Sequence, residues 1–134
     1  MDLGLRNARL NFRQLEKTHM MENIIYNELR VRGFNVDVGI VPLVIRDGNG
    51  NQKRVSYEVD FVANKGNQRY YIQSAYRLDS YEKVAQEQNS LRNVDDSFKK
   101  IVIVGNPILV ERDNNGITTI SVYDFLLKEN SLEL

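Results

Sequence analysis

From Thr18 onward the chain takes on a helical beat. Met21, Ile24, Ile25, Leu29 and Val31 recur at three- and four-residue intervals and Gly33 ends the run, which predicts an amphipathic helix over residues 18–32. At about 100° per residue, Glu22 falls at the edge of the apolar arc beside Leu29 and Glu28 falls inside it. Both are candidates to face a sheet.

The period then shortens to two. Val36, Val38 and Ile40, followed by Leu43-Val44-Ile45, suit a first strand, and Asp47-Gly48-Asn49-Gly50-Asn51 is a dense turn signal. Residues 54–63 alternate, which predicts Tyr57, Val59 and Phe61 on one face and Glu58 and Asp60 on the other. Asn64-Lys65-Gly66-Asn67 is the next turn and residues 69–76 the third strand, giving a three-stranded antiparallel meander. A helix-compatible stretch over 80–93 has Tyr81, Val84, Ala85, Gln88 and Leu91 as its inner stripe. The unbroken β-branched run at 99–104 reads as a buried strand ended by Asn106-Pro107. Residues 113–116 then turn into a strand over 117–123, and Asp124 is expected to cap a short helix through Phe125-Leu126-Leu127. The order is αβββαβ with a further strand and a helical tail, an α/β domain with a mixed central sheet flanked by helices.

Ahead of Thr18, Leu3, Leu5, Leu10 and Phe12 have no earlier segment to pack against. The chain is therefore read as a lead-in over 1–17, belonging to a missing upstream region, and a domain over 18–134. The lead-in is expected to be mobile or to drive self-association into a homo-oligomer.

Composition changes this picture little but excludes much. In 134 residues, 42% hydrophobic and 27% charged, there is enough chain for one buried core. Eighteen basic residues balance eighteen acidic ones, so no overall field draws the domain to nucleic acid, and any basic patch must be local. The absence of cysteine rules out disulfides and thiolate metal sites, and the single histidine, His19, cannot build a zinc site alone and is read as lying near the helix start. No apolar run is long enough to span a bilayer and no signal peptide is visible, so a cytoplasmic location and no membrane partner are expected. No G-x-x-x-x-G-K-[ST] motif occurs, hence no ATP site within this chain.

The candidate chemistry lies where the strands meet. Neighbouring strands would bring Glu58 and Asp60 close to Gln73, with Glu22 on the preceding helix. On alternation alone, Glu58 and Asp60 more often form a solvated strand face, Gln73 can be a partner for a nearby backbone group, and Glu28 reads as one half of an ion pair with an arginine or lysine. Tyr57, Tyr70, Tyr71 and Tyr76 could stack bases, but tyrosine is also a common strand and core residue.

The runs DLGLRNARL, HMMENIIYNELRVRGFNVDVG, YEVDFVANKGNQRYYIQSAYRL, FKKIVIV and ISVYDFLL, in this order, resemble the C-terminal domain of unknown function of bacterial and archaeal P-loop (AAA-like) ATP-binding proteins. The element order resembles the wider restriction-endonuclease-like, or PD-(D/E)XK, superfamily. That resemblance implies a catalytic set of Glu22, Asp60 and Gln73, with Mg²⁺ held by Asp60, Glu58 and Glu22. It also implies a lysine two residues after Gln73, where this chain has Ala75. Two carboxylates would hold the ion, the ion would activate water, and the lysine would steady the developing charge. Without that lysine, unless Lys53 or Lys65 takes its place, the resemblance implies a degenerate site. The expected roles are then a binding or regulatory module of an upstream ATPase domain, an active Mg²⁺-dependent DNA nuclease, or a protein-interaction scaffold. ATP would bind only in the absent parent region, and nucleic acid is a candidate partner.

Overall fold

The computed structural model describes residues 3–76, 88, 91, 92, 94, 97–113 and 116–134. Helix α1 spans Leu3–Val31, about 43 Å at 1.5 Å per residue. The helix expected to begin at Thr18 thus begins fifteen residues earlier, since no proline interrupts residues 3–31. His19 accordingly sits well inside the helix. The packing of Leu3, Leu5, Leu10 and Phe12 lies outside the described side chains.

Gly33 closes α1 as anticipated. Its φ of +89° is the left-handed conformation that glycine adopts without a Cβ penalty. Gly33 N–H donates to the Arg30 carbonyl and Phe34 N–H to the Leu29 carbonyl, each at 3.0 Å, which is the paired bonding of a Schellman stop. Leu29 and Phe34, brought together by this turn, both join the core.

Six strands follow among the described residues, β1 (Asn35–Arg46), β2 (Gln52–Lys65), β3 (Gln68–Ala75), β4 (Lys99–Val104), β5 (Glu111–Arg112) and β6 (Ile117–Ser121). They form one mixed sheet in the order β1-β2-β3-β4-β6-β5. The β1-β2-β3 meander is antiparallel as predicted, β3, β4 and β6 run parallel, and β5 is an antiparallel edge strand absent from the sequence reading. β1 is the opposite edge, the position in which a strand tolerates Pro42 and its missing N–H. This is a mixed α/β architecture.

Two apolar layers hold the sheet. Beneath α1, Met21, Ile25 and Leu29 pack on Phe61, Ile72, Ile101, Ile103 and Ile120. Each fully buried aliphatic side chain here stabilises the fold by roughly 1.5–3 kcal/mol. The stripe is narrower than its periodicity suggested, because Ile24 and Val31 turn outward, Val31 being 82% exposed. On the reverse face, Val59, Tyr71, Ala75, Val102, Val104 and Ile117 surround Leu91. Gln88, Leu91 and Arg92 are helical and the first two are buried, in keeping with the inner stripe read over 80–93. Tyr81, Val84 and Ala85 lie outside the described residues.

The alternation along β2 breaks at one point. Asp37 pairs with Val62 and Gly39 with Val59, so one residue on β1 is matched by two on β2. The extra residue is a β-bulge at Asp60-Phe61, opposite Val38. It corrects the expected facing: Val59 and Val62 join the reverse layer, whereas Phe61 joins the layer beneath α1. Gly39 is the residue that permits this. A Cβ there would lie 2.7 Å from Val62 Cγ2 and 3.3 Å from Val59 Cβ. Gly39→Ala is expected to destabilise the domain by about 1–3 kcal/mol through overpacking. Urea unfolding checks this, and an unchanged midpoint would mean that the bulge is not tightly packed.

At its far end the chain returns to α1. Helix α2 (Val122–Leu127) begins three residues earlier than anticipated and takes its N-cap from Ser121, whose hydroxyl accepts the Asp124 N–H at 3.0 Å. Asp124 is therefore not the cap. It lies in the first turn, where its carboxylate suits the helix dipole, and is 3.6 Å from Lys128. A single 3-10 turn (Ser131–Glu133) follows, with Leu132 buried against the α1 layer.

Candidate functional site

The bulge and a parting of strands build the candidate site together. β2 and β3 pair from Lys65↔Gln68 to Phe61↔Ile72, and their ladder ends there. Beyond it, side chains take over from backbone. Asp60 N–H donates to Gln73 Oε1 at 2.9 Å, and Ser74 N–H donates to Asp60 Oδ2 at 2.8 Å. Two backbone donors that the separating strands would leave unmet are thereby satisfied. The reciprocal pair also fixes the Asp60 carboxylate relative to β3.

Asp60 then borders a cleft of about 250 Å³ lined by Glu22, Asn23, Tyr26, Val38, Glu58 and Phe61 besides itself. Three of the sequence-predicted residues, Glu22, Glu58 and Asp60, therefore share one cleft. Asn23 and Tyr26 were missed, although Tyr26, one helical turn from Glu22, already shared its face; Asn23, adjacent in sequence, had no such signal. Val38, which falls at alternate positions with Val36 and Ile40 along β1, lines the wall opposite the bulge. His19 is near the rim, with Nδ1 at 3.8 Å from Glu22 Oε2.

Gln73 is not part of the cleft wall. It is buried, alternates with Ile72, and so shares the face of Tyr71 and Ala75, reaching Asp60 across the strand gap. Its carbonyl oxygen, the atom a metal would need, already accepts the Asp60 N–H. Ala75 is 3% exposed and packs in the apolar layer with Val59 and Leu91. Neither candidate substitute for the missing lysine lines the cleft. Lys65 Nζ donates to the Arg32 carbonyl at 2.8 Å, at the other end of β2, and Lys53 pairs across from Ile45 near the β1–β2 turn. Among the described residues, no three His, Cys, Asp or Glu side chains are grouped closely enough to hold a metal ion. Glu22, Glu58 and Asp60 thus share the cleft, while the oxygen of Gln73 is engaged by the Asp60 backbone and the side chain of Ala75 by the core.

Among the other candidates, Glu28, Tyr70 and Tyr71 have structural contacts, and the Tyr57 side chain lies outside the described ones. Glu28 accepts from Arg32 Nε at 3.0 Å, the pairing anticipated for it. Tyr70 is buried edge-on against Phe34, with ring centroids 5.8 Å apart, and Tyr71 fills the reverse layer. A larger cavity of about 420 Å³ lies near the C-terminal end of α1, bordered by Arg32, Phe34, Lys65, Tyr70 and Glu133 among others. Burial, helped by the Glu133 carboxylate, pushes the Tyr70 phenol up from its usual pKa and keeps it neutral. This cavity contains none of the residues proposed for catalysis.

An uncharacterized protein of Haemophilus influenzae is 32% identical to this chain over 127 residues, which is 95% of the chain and 28% of that protein. The chain thus spans little more than a quarter of the length of the relative it matches. No protein-family model matches it. Among the described residues no helix is long and apolar enough to cross a membrane.

Proposed function

We propose that this chain is the nuclease-like domain of a larger, cytoplasmic P-loop ATP-binding protein. It has lost catalytic competence and serves that protein as a binding or regulatory module. The observation that carries the reading is the state of β3, where Gln73 gives its oxygen to the Asp60 backbone and Ala75 gives its side chain to the core. A site of this class depends on a cation beside the reacting phosphate, and loss of one such group commonly costs about 3–4 kcal/mol of transition-state stabilisation. The sequence runs resembling ATPase C-terminal domains, and a relative several times longer than the chain, support placement within a larger protein.

Glu22, Glu58 and Asp60 on one cleft favour the alternative, a working Mg²⁺-dependent nuclease. The two readings separate in one assay. The purified chain, with Mg²⁺ or Mn²⁺, is expected to leave linear, nicked and branched DNA uncut. Cleavage that disappears in Asp60→Asn would establish the alternative. Ala75→Lys is a poor restoration, because the new ammonium would have to leave the layer formed by Val59 and Leu91 or be buried in it at a cost of several kcal/mol.

A further inference from the structure

The β1–β2 hairpin is longer than the sheet that supports it. Residues 40–46 and 52–58 pair with each other from Ile40↔Glu58 to Arg46↔Gln52, whereas β3 reaches β2 only as far as Phe61. Seven residues at roughly 3.3 Å each make a two-stranded arm about 20 Å long. Arg46, Lys53 and Arg54 are exposed on its outer part, and none of their side chains has a hydrogen-bond or ion-pair partner among the described residues. The acid nearest them, Asp47, is occupied within the turn, where Oδ1 accepts the N–H groups of Asn49 and Asn51 at 2.9 Å each.

We propose that this arm is a contact surface for the phosphate backbone of duplex nucleic acid, with Arg46 and Arg54 engaging phosphates from one face of the ribbon and Lys53 from the other. Three features favour this occupant. A two-stranded ribbon is an element that the major groove admits. Val44 pairs with Arg54 and Arg46 with Gln52, so the two arginines are diagonal neighbours on one face, about 7–8 Å apart, a spacing that lets them reach neighbouring phosphates of one strand. Lys53, opposite Ile45, has the reverse parity and is available to the other groove wall.

The acidic cleft does not cancel this charge. Glu58 shares the arginines' face but lies four residues from Arg54, about 13 Å along the strand, beyond the roughly 8 Å Debye length at physiological salt. The zero net charge of the chain therefore hides a segregated pattern, basic at the arm's outer end and acidic at its base. This inference goes beyond the degenerate-nuclease reading and stands whether or not the cleft cuts DNA.

The test is fluorescence anisotropy of a short labelled DNA duplex titrated with the chain at several salt concentrations. Three neutralised phosphates give a slope of log K against log salt of about −2.7, so raising salt from about 50 to about 200 mM weakens binding by about forty-fold. The triple variant Arg46→Gln/Lys53→Gln/Arg54→Gln is expected to lose at least about tenfold in affinity and most of that slope. A charge-matched variant, Lys17→Gln/Arg30→Gln/Lys128→Gln, is expected to bind like the wild type. All six side chains are exposed, so both variants should keep the wild-type circular dichroism, with midpoint changes no larger than the ~1 kcal/mol that an exposed pair such as Lys128–Asp124 contributes. An arm variant that binds like the wild type, equal losses in both variants, or a wild type without salt-dependent duplex binding would each overturn the proposal.

Discussion

Replacing Arg32 by alanine is expected to destabilise the domain by about 3–5 kcal/mol, read as a fall in the urea midpoint at unchanged slope. The Arg32 guanidinium joins α1 to the last segment of the chain. Its Nε donates to Glu28 Oε1 at 3.0 Å and its Nη1 to Ser131 Oγ at 2.9 Å. Its Nη2 donates to the carbonyls of Phe125 and Lys128, and its guanidinium lies 4.8 Å from the centre of the Phe125 ring. The two carbonyls belong to the end of α2, where helical acceptors have no intrahelical partner. Arg32 therefore acts as a C-terminal cap supplied from another helix, and it ties the last segment of the chain to the end of α1. Its side chain is only 13% exposed, so water cannot readily replace it. Arg32→Lys should recover little, because an ammonium cannot copy the planar fork that reaches Glu28, Ser131 and two carbonyls at once. Loss of less than about 1 kcal/mol in Arg32→Ala would show that these bonds only replace equivalent ones to water.

What the sequence could reveal of this arrangement depended on how local each cause was. Glu28 and Arg32 are one helical turn apart, so their pairing was legible. The other Arg32 partners lie 93 to 99 residues away, and no local pattern announces them. The Gly33 stop and the meander were legible for the same reason, since glycine and turn residues act on their immediate neighbours. Alternation along β2 could be read as far as Val59. It failed at Phe61 because a bulge belongs to the pairing of two strands, and only the register with Gly39 creates it. The site followed the same rule. Glu22, Glu58 and Asp60 could be gathered from element order, whereas the use made of Gln73 depended on where β2 and β3 separate. β5 was missed because two charged residues, Glu111 and Arg112, carry no strand pattern at all.

Gln73→Glu gives the sharpest test of that use, because the two readings of the site predict opposite signs. In a metal cage an added carboxylate strengthens binding. In the observed clamp it places a second negative charge beside the Asp60 carboxylate, at a position only 8% exposed. Repulsion and burial would both raise the pKa of the introduced acid above its unfolded value of about 4.3. A group of this kind costs stability at every pH above the unfolded pKa, and the cost fades as pH falls towards it. Gln73→Glu should therefore be less stable than wild type by about 2–4 kcal/mol at pH 7, the range set by two charges about 4 Å apart at an effective dielectric near 20. The deficit should shrink towards zero near pH 4, where the protonated acid is close in shape to glutamine and can still accept the Asp60 N–H. Gln73→Ala serves as the reference. It leaves that N–H unmet and should lose about 1–3 kcal/mol with no comparable pH dependence. Thermal unfolding of both variants across this pH range, with and without Mg²⁺, decides the matter. If Gln73→Glu were stabilised by Mg²⁺ at neutral pH, the glutamine would be a displaced ligand, and Glu22, Glu58 and Asp60 would regain their place in a metal site.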